Sequence, residues 1–153
     1  MQPVEPDLKL GGFSLWVYGR EFPDANDYWD GNWLIVRARV GAPGALVEAQ
    51  GGFIHAPALA DFAKQVETLH ATLVGEAVLR RMGPNLEMAI RGDSVDHMEL
   101  RLMITCDHIT QAHDFKFDLD QTHLARSPSL TGAKAFCRVG RSAQRLLLRG
   151  QAV

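Results

Sequence analysis

The stretch EFPDANDYWDGNWLIVRARV, residues 21–40, decides how this chain folds. Its second half alternates: Leu34, Val36, Ala38 and Val40 face one way, while Ile35, Arg37 and Arg39 face the other. A period of two is the signature of a strand with one buried and one wet face. Its first half is different in kind. Positions 22–33 crowd Asp24, Asp27 and Asp30 together with Tyr28, Trp29 and Trp33, around a Pro23-Asp24 turn and Gly31. That composition belongs to a loop. Rings and carboxylates gathered where a strand begins serve either architecture or recognition, and the residues around them bear on which.

Outward from this stretch the same period recurs. Before it, GFSLWVY (residues 12–18) sets Phe13, Leu15 and Val17 against Ser14, Trp16 and Tyr18. After it, GAPG supplies a tight turn, and ALVEAQGGFI reads as a third strand whose Gly51-Gly52 pair marks a bulge or a close backbone approach. A helix is expected over residues 57–74, with Pro57 in its first turn and Gly75 as its stop. Leu59, Phe62, Ala63, Val66, Leu69 and Leu73 give it a single apolar stripe to lay across a sheet face. Further on, EAVLRRM, NLEMAIR, HMELRLMIT and DFKFDL read as strands, and DQTHL as a helix start with Asp120 or Thr122 as cap. Clean alternation argues for antiparallel strands. The fold class is therefore α+β: a twisted antiparallel β-sheet, or two sheets, packed by one or two helices. Both halves read as strands followed by a helix, which points to an internal strand-strand-strand-helix duplication.

The totals narrow the class. A chain of 153 residues with 46% hydrophobic and 22% charged content has the composition of an ordinary globular protein. No run approaches the roughly 18 apolar residues of a membrane span. The start, MQPVEPDLKL, lacks the basic and apolar segments of an export signal, so Cys106 and Cys137 are expected as reduced thiols in the cytoplasm. The net charge of −2 conceals an asymmetry, because residues 1–120 hold all 18 acids against 10 bases, a net of −8. An acidic body disfavours nucleic acid as a partner and suits a basic protein.

Catalytic and metal-binding patterns are weak by comparison. His108 and His113, with Cys106 near, lie in DHITQAHD between two strands, where a polar turn is the simpler reading. His55, His70, His97 and His123 stand alone. Asp24, Asn26 and Asp30 have the odd spacing of a calcium loop, but Tyr28 falls where the third oxygen ligand belongs and Trp29 replaces the needed glycine. Two carboxylate pairs, Asp27 with Asp30 and Glu87 with Glu99, are the candidates for acid–base work, and a solvated strand face is the simpler reading of Glu87 and Glu99. No catalytic residue, metal site or cofactor is assigned. The aromatics remain. Trp33 precedes an inward Leu34 and so points to the opposite face, where pairing of the first two strands would bring Trp16, Tyr18 and Ile35 beside it. Either a further layer covers that face, or it is an exposed aromatic patch rimmed by acids, which marks a binding surface.

FPDANDYWDGNWL followed by a VRARV strand resembles the WapI-type bacterial immunity proteins, and the later GGFI and PALADFAKQVETL, together with FKFDLDQTHL, are similar to that family's continuation. The resemblance covers roughly residues 8–125. It implies a small cytoplasmic α+β protein whose named relatives protect a cell from a contact-delivered toxin, with a nuclease domain as the toxin's active part. The expected function is thus a non-catalytic protein that binds and occludes such a toxin, with Asp27, Tyr28, Trp29, Asp30 and Trp33 as contact residues. The alternative is a small-molecule or carbohydrate-binding module using the same rings.

The resemblance also shows where this chain departs. Residues 1–125 are read as one domain and 126–153 as a basic, poorly patterned segment that carries six bases and no acid. Pro128 would cost a helix interior about 3 kcal/mol, so a helix begun at residue 121 should break there, leaving short helices near 131–139 or 142–149. A reading-frame shift near residue 125 would account for the change, and translation of the alternative frames tests it. A sheet left without its second cover would compensate by homodimerisation.

Overall fold

The computed structural model describes residues 4–93 and 96–125. The short helices expected near 131–139 or 142–149, and Cys137, lie outside them. Ten elements follow in order: β1 (Leu8–Leu10), β2 (Phe13–Arg20), β3 (Trp33–Ala42), β4 (Ala45–His55), α1 (Ala56–Thr72), β5 (Val74–Leu79), β6 (Leu86–Asp93), β7 (Met98–Ile104), β8 (His113–Leu119) and α2 (Gln121–Ala125). They make two antiparallel four-stranded sheets, β1-β2-β3-β4 and β5-β6-β7-β8. The fold is α+β, as the alternation implied. Each half is four strands and a helix, one strand more than the repeat read from the sequence for the first half. The extra strand is Leu8-Lys9-Leu10, too short to display a period.

The elements form for local reasons. Between β3 and β4, Ala42 pairs with Ala45 across Pro43-Gly44, and Gly44 takes φ 80°. Proline then a left-handed glycine are the central residues of a type II turn. Farther along the same pair the register shifts between Leu34 and Val36. The Gly51-Gly52 pair lies at this bulge, and a Cβ on Gly52 would collide with the Glu21 carboxylate. α1 buries Leu59, Phe62, Ala63, Val66 and Leu69, the expected stripe. It ends at Thr72, with Leu73 in the left-handed conformation (φ 60°), while Gly75 already lies in β5.

One core cluster joins the parts. Phe13, Leu15, Val36 and Val40 of the first sheet, Met88, Ile90, Leu100 and Leu102 of the second, and Leu59, Phe62 and Val66 of α1 are all buried in it. The sheets also meet at their ends. A Cβ on Gly12 would strike the Gly41 carbonyl and come within 2.7 Å of Phe117 Cζ. α1 lies along β5, the edge of the second sheet. There the Gln65 side chain accepts from the Val78 N–H at 2.8 Å and donates to its carbonyl at 3.4 Å. The amide thus stands in for a neighbouring strand and covers an edge that would otherwise be open to another chain.

Candidate functional site

The loop between β2 and β3 is built by short-range bonds. Glu21 N–H donates to the Trp33 carbonyl at 2.8 Å, closing the loop where the strands part. The Asp27 carboxylate accepts the Asp30 N–H at 3.0 Å, and its carbonyl accepts the Gly31 N–H at 3.0 Å. These bonds start the single 3-10 turn Asp30–Asn32, in the way Asp side chains mimic a backbone turn. A side chain at Gly31 would lie 2.9 Å from the Ala25 carbonyl, so the position takes only glycine. Asn32 is fully buried and donates to the Tyr28 carbonyl at 2.7 Å.

At the centre of the site stands a residue that the sequence left among the isolated histidines. His55 ends β4, pairs across the sheet with Trp33 and has no exposed surface. Its ring lies 5.2 Å from that of Trp29 in a stacked arrangement, 5.3 Å from Tyr28 and 5.0 Å from Trp33, both edge-on. Its Nε2 lies 3.1 Å from the Trp29 carbonyl, which fixes that nitrogen as the donor. Among the described residues neither Nδ1 nor the buried Asn32 Oδ1 has a hydrogen-bond partner. Burial pushes the imidazole pKa below its ordinary value, and the Arg80 charge adds to the push, outweighing the Trp29 and Tyr28 carbonyls that favour the charged form. The one sequence signal for His55 was its place in an apolar run, GGFIHAPAL, at the junction of strand and helix.

Three of the five expected contact residues, Tyr28, Trp29 and Trp33, thus gather around one imidazole, and Asp27 and Asp30 lie in the same loop. Tyr28 and Trp33 are half-buried and form the inner wall. Trp29 rests one face on His55 and is 54% exposed, and Phe22 nearby in the loop is 47% exposed. Asp24, Asp27 and Asp30 are exposed. Of these carboxylates Asp27 is tied to the main chain, so Asp24 and Asp30 carry the open negative charge. A held ring beside open carboxylates can grip a surface with basic and apolar groups.

The wider aromatic face expected from the sequence is divided. Trp16 lies under the Arg37 guanidinium, 4.8 Å from its centroid, and Arg37 in turn pairs with Glu48 at 2.8 Å. Tyr18 falls at the bulge between Val17 and Gly19 and is 55% exposed. Neither joins the Trp33 cluster in the ring contacts around His55. Glu87 faces Met103 and Glu99 faces Arg91, at opposite ends of the β6–β7 ladder, so they are not a carboxylate pair. Glu99 instead pairs with Arg101 and Lys116. The segment holding His108 is a turn in which the Asp107 carboxylate accepts from the Ile109 N–H and the Thr110 hydroxyl. Cys106 is an exposed free thiol. Among the described residues no group of three His, Cys, Asp or Glu could hold a metal ion, and no helix is long and apolar enough to cross a membrane.

No curated protein and no solved structure matches this chain. The model of the immunity protein WapI-like family does, over residues 7–127, a span that takes in both sheets, α1 and the His55-centred loop. The chain belongs to the immunity protein WapI-like family.

Proposed function

We propose that this protein acts in the cytoplasm as a non-catalytic immunity protein that binds a contact-delivered toxin of the nuclease type and occludes its basic cleft. The contact surface is the β2–β3 loop, with Trp29 as anchor, Asp30 beside it, and Asp27, Tyr28 and Trp33 completing the patch. The single observation that carries this reading is Trp29: a large ring left 54% exposed although its backbone and one face are fixed by His55. Tryptophan so held loses little freedom on binding, and such residues dominate interface energies. The surrounding charge supports the same partner. Residues 1–120 carry a net of −8, and an acidic surface speeds encounter with a basic one. The ring cluster is filled by the imidazole, which disfavours the sugar or small-molecule alternative at this place. Homodimerisation belongs to this reading as well, and sedimentation velocity reports it.

The test takes as its probe the nuclease-like end of a large secreted protein, sought among the neighbouring genes, and absence of such a gene counts against the reading. Trp29→Ala should weaken its binding about thirtyfold or more, the effect of an interface anchor, with little change in the unfolding midpoint. Unchanged affinity in Trp29→Ala, together with a large loss of stability, would overturn the proposal and leave the loop a structural device.

A further inference from the structure

A second feature lies on the outer face of the first sheet, and it is independent of the toxin-binding loop. The registers align Lys9 with Ser14, Ser14 with Arg39, and Arg39 with Glu48, one row across four strands. Neighbouring strands are about 4.8 Å apart, so two cations flank a hydroxyl with side chains long enough to converge above it. Glu48 is the carboxylate that the row offers Arg39. It turns instead to Arg37, at 2.8 Å, where the Arg37 guanidinium is also held over Trp16. Arg39 and Lys9 are left with no hydrogen bond or ion pair among the described residues.

Space accompanies the charge. A groove of about 450 Å³ runs over this row, with Gly12 and Gly41 on one side and Trp16 and the N-terminal segment Val4–Pro6 on the other. That segment is pinned: Trp16 Nε1 donates to the Val4 carbonyl at 2.8 Å, and the Asp7 carboxylate accepts the Val17 N–H at 2.7 Å. A Cβ on Gly41 would meet nothing within 4 Å, so the glycine keeps the groove open. Glu5 alone among the lining residues carries a carboxylate. The volume falls in the range of small-ligand sites.

We propose that this groove binds a small phosphate-bearing molecule, with its phosphate over Ser14 between Lys9 and Arg39 and its remainder against the Trp16 indole. Guanidinium and ammonium groups with a hydroxyl between them offer several donors to one tetrahedral anion. The planar wall favours a ring-carrying phosphate over a bare one.

Calorimetric titration of the full chain at low ionic strength, with inorganic pyrophosphate, adenosine monophosphate and adenosine as probes, tests this. Saturable binding of the monophosphate is expected, weakened about tenfold by Lys9→Gln or Arg39→Gln, the loss of one charge-assisted contact. Arg91→Gln on the second sheet removes the same charge and should leave binding unchanged. Arg37→Gln should weaken it, because Glu48 is then released to Arg39. Gly41→Leu should block binding while the unfolding midpoint stays near that of the natural chain, which separates site loss from misfolding. No saturable binding of either phosphate, an Arg91→Gln effect equal to that of Arg39→Gln, or adenosine binding as tightly as its monophosphate would each overturn the proposal.

Discussion

Replacing His55 by alanine should loosen the whole candidate site. The imidazole has no exposed surface and touches the rings of Tyr28, Trp29 and Trp33. Aromatic pairs contribute about 0.5–1.5 kcal/mol each, and the hydrogen bond to the Trp29 carbonyl adds about 1 kcal/mol. A loss of about 2.5–5.5 kcal/mol follows, a large part of the roughly 5–15 kcal/mol that holds a domain together. Protonation should act in the same direction. Because burial lowers the His55 pKa from 6.5, the unfolded chain takes up the proton first. The contribution of the neutral ring is therefore complete above about pH 6.5 and declines as pH falls below it toward the folded value. Glu99, Asp107 and Asp120, whose pKa values are lowered by hydrogen bonds from Arg101, Thr110 and Thr122 respectively, lose their contributions only at still lower pH, since their ordinary values are 4.5, 3.8 and 3.8. Urea unfolding followed by tryptophan fluorescence at pH 7, 6 and 5 reads both effects. A His55→Ala loss below about 1 kcal/mol, less than the low end of what its ring contacts and hydrogen bond together imply, or the same slope with pH in variant and natural chain, would refute the reasoning.

Two other changes probe the loop and the junction of the sheets. Asp27→Ala removes the acceptor of the Asp30 N–H and should cost about 0.5–1.5 kcal/mol in urea unfolding, whereas Asp27→Asn, which keeps an acceptor oxygen, should recover most of it. Gly12→Ala drives a methyl group into the Gly41 carbonyl and Phe117 and should destabilise by about 2 kcal/mol or more. Gly83→Ala, where a Cβ meets nothing within 4 Å, serves as the matched control and should stay near the natural midpoint.

Much of the architecture was legible before any coordinate. Leu34, Val36, Ala38 and Val40 do face the core, the stripe from Leu59 to Leu69 is the buried side of α1, and Gly51-Gly52 does sit at a bulge. Each of these is written in local spacing, where two- and three-to-four-residue periods map directly onto strand and helix. Other features were not local. Leu8-Lys9-Leu10 forms a strand only because β2 offers it a ladder. The helix stop fell at Leu73 and not at Gly75, because the C-cap is set by a bond from Leu73 N–H back to the Leu69 carbonyl and by the packing of β5 beyond it. Trp16 and Trp33 share a face by parity, yet the bulges at Val17/Gly19 and Leu34/Val36 and the Arg37 guanidinium give them different neighbours.

The same division applies to the sites. The sequence by itself determined that a ring- and acid-rich loop leads into a half-buried strand, that the body is acidic, and that two antiparallel sets of strands are each followed by a helix. Only the tertiary structure decided that His55 fills the space between Tyr28, Trp29 and Trp33, and that Glu48 goes to Arg37 and leaves Arg39 without an ion pair among the described residues. The physical reason is that periodicity fixes which way a side chain points, whereas its partners are fixed by register and bulges between segments far apart in the chain.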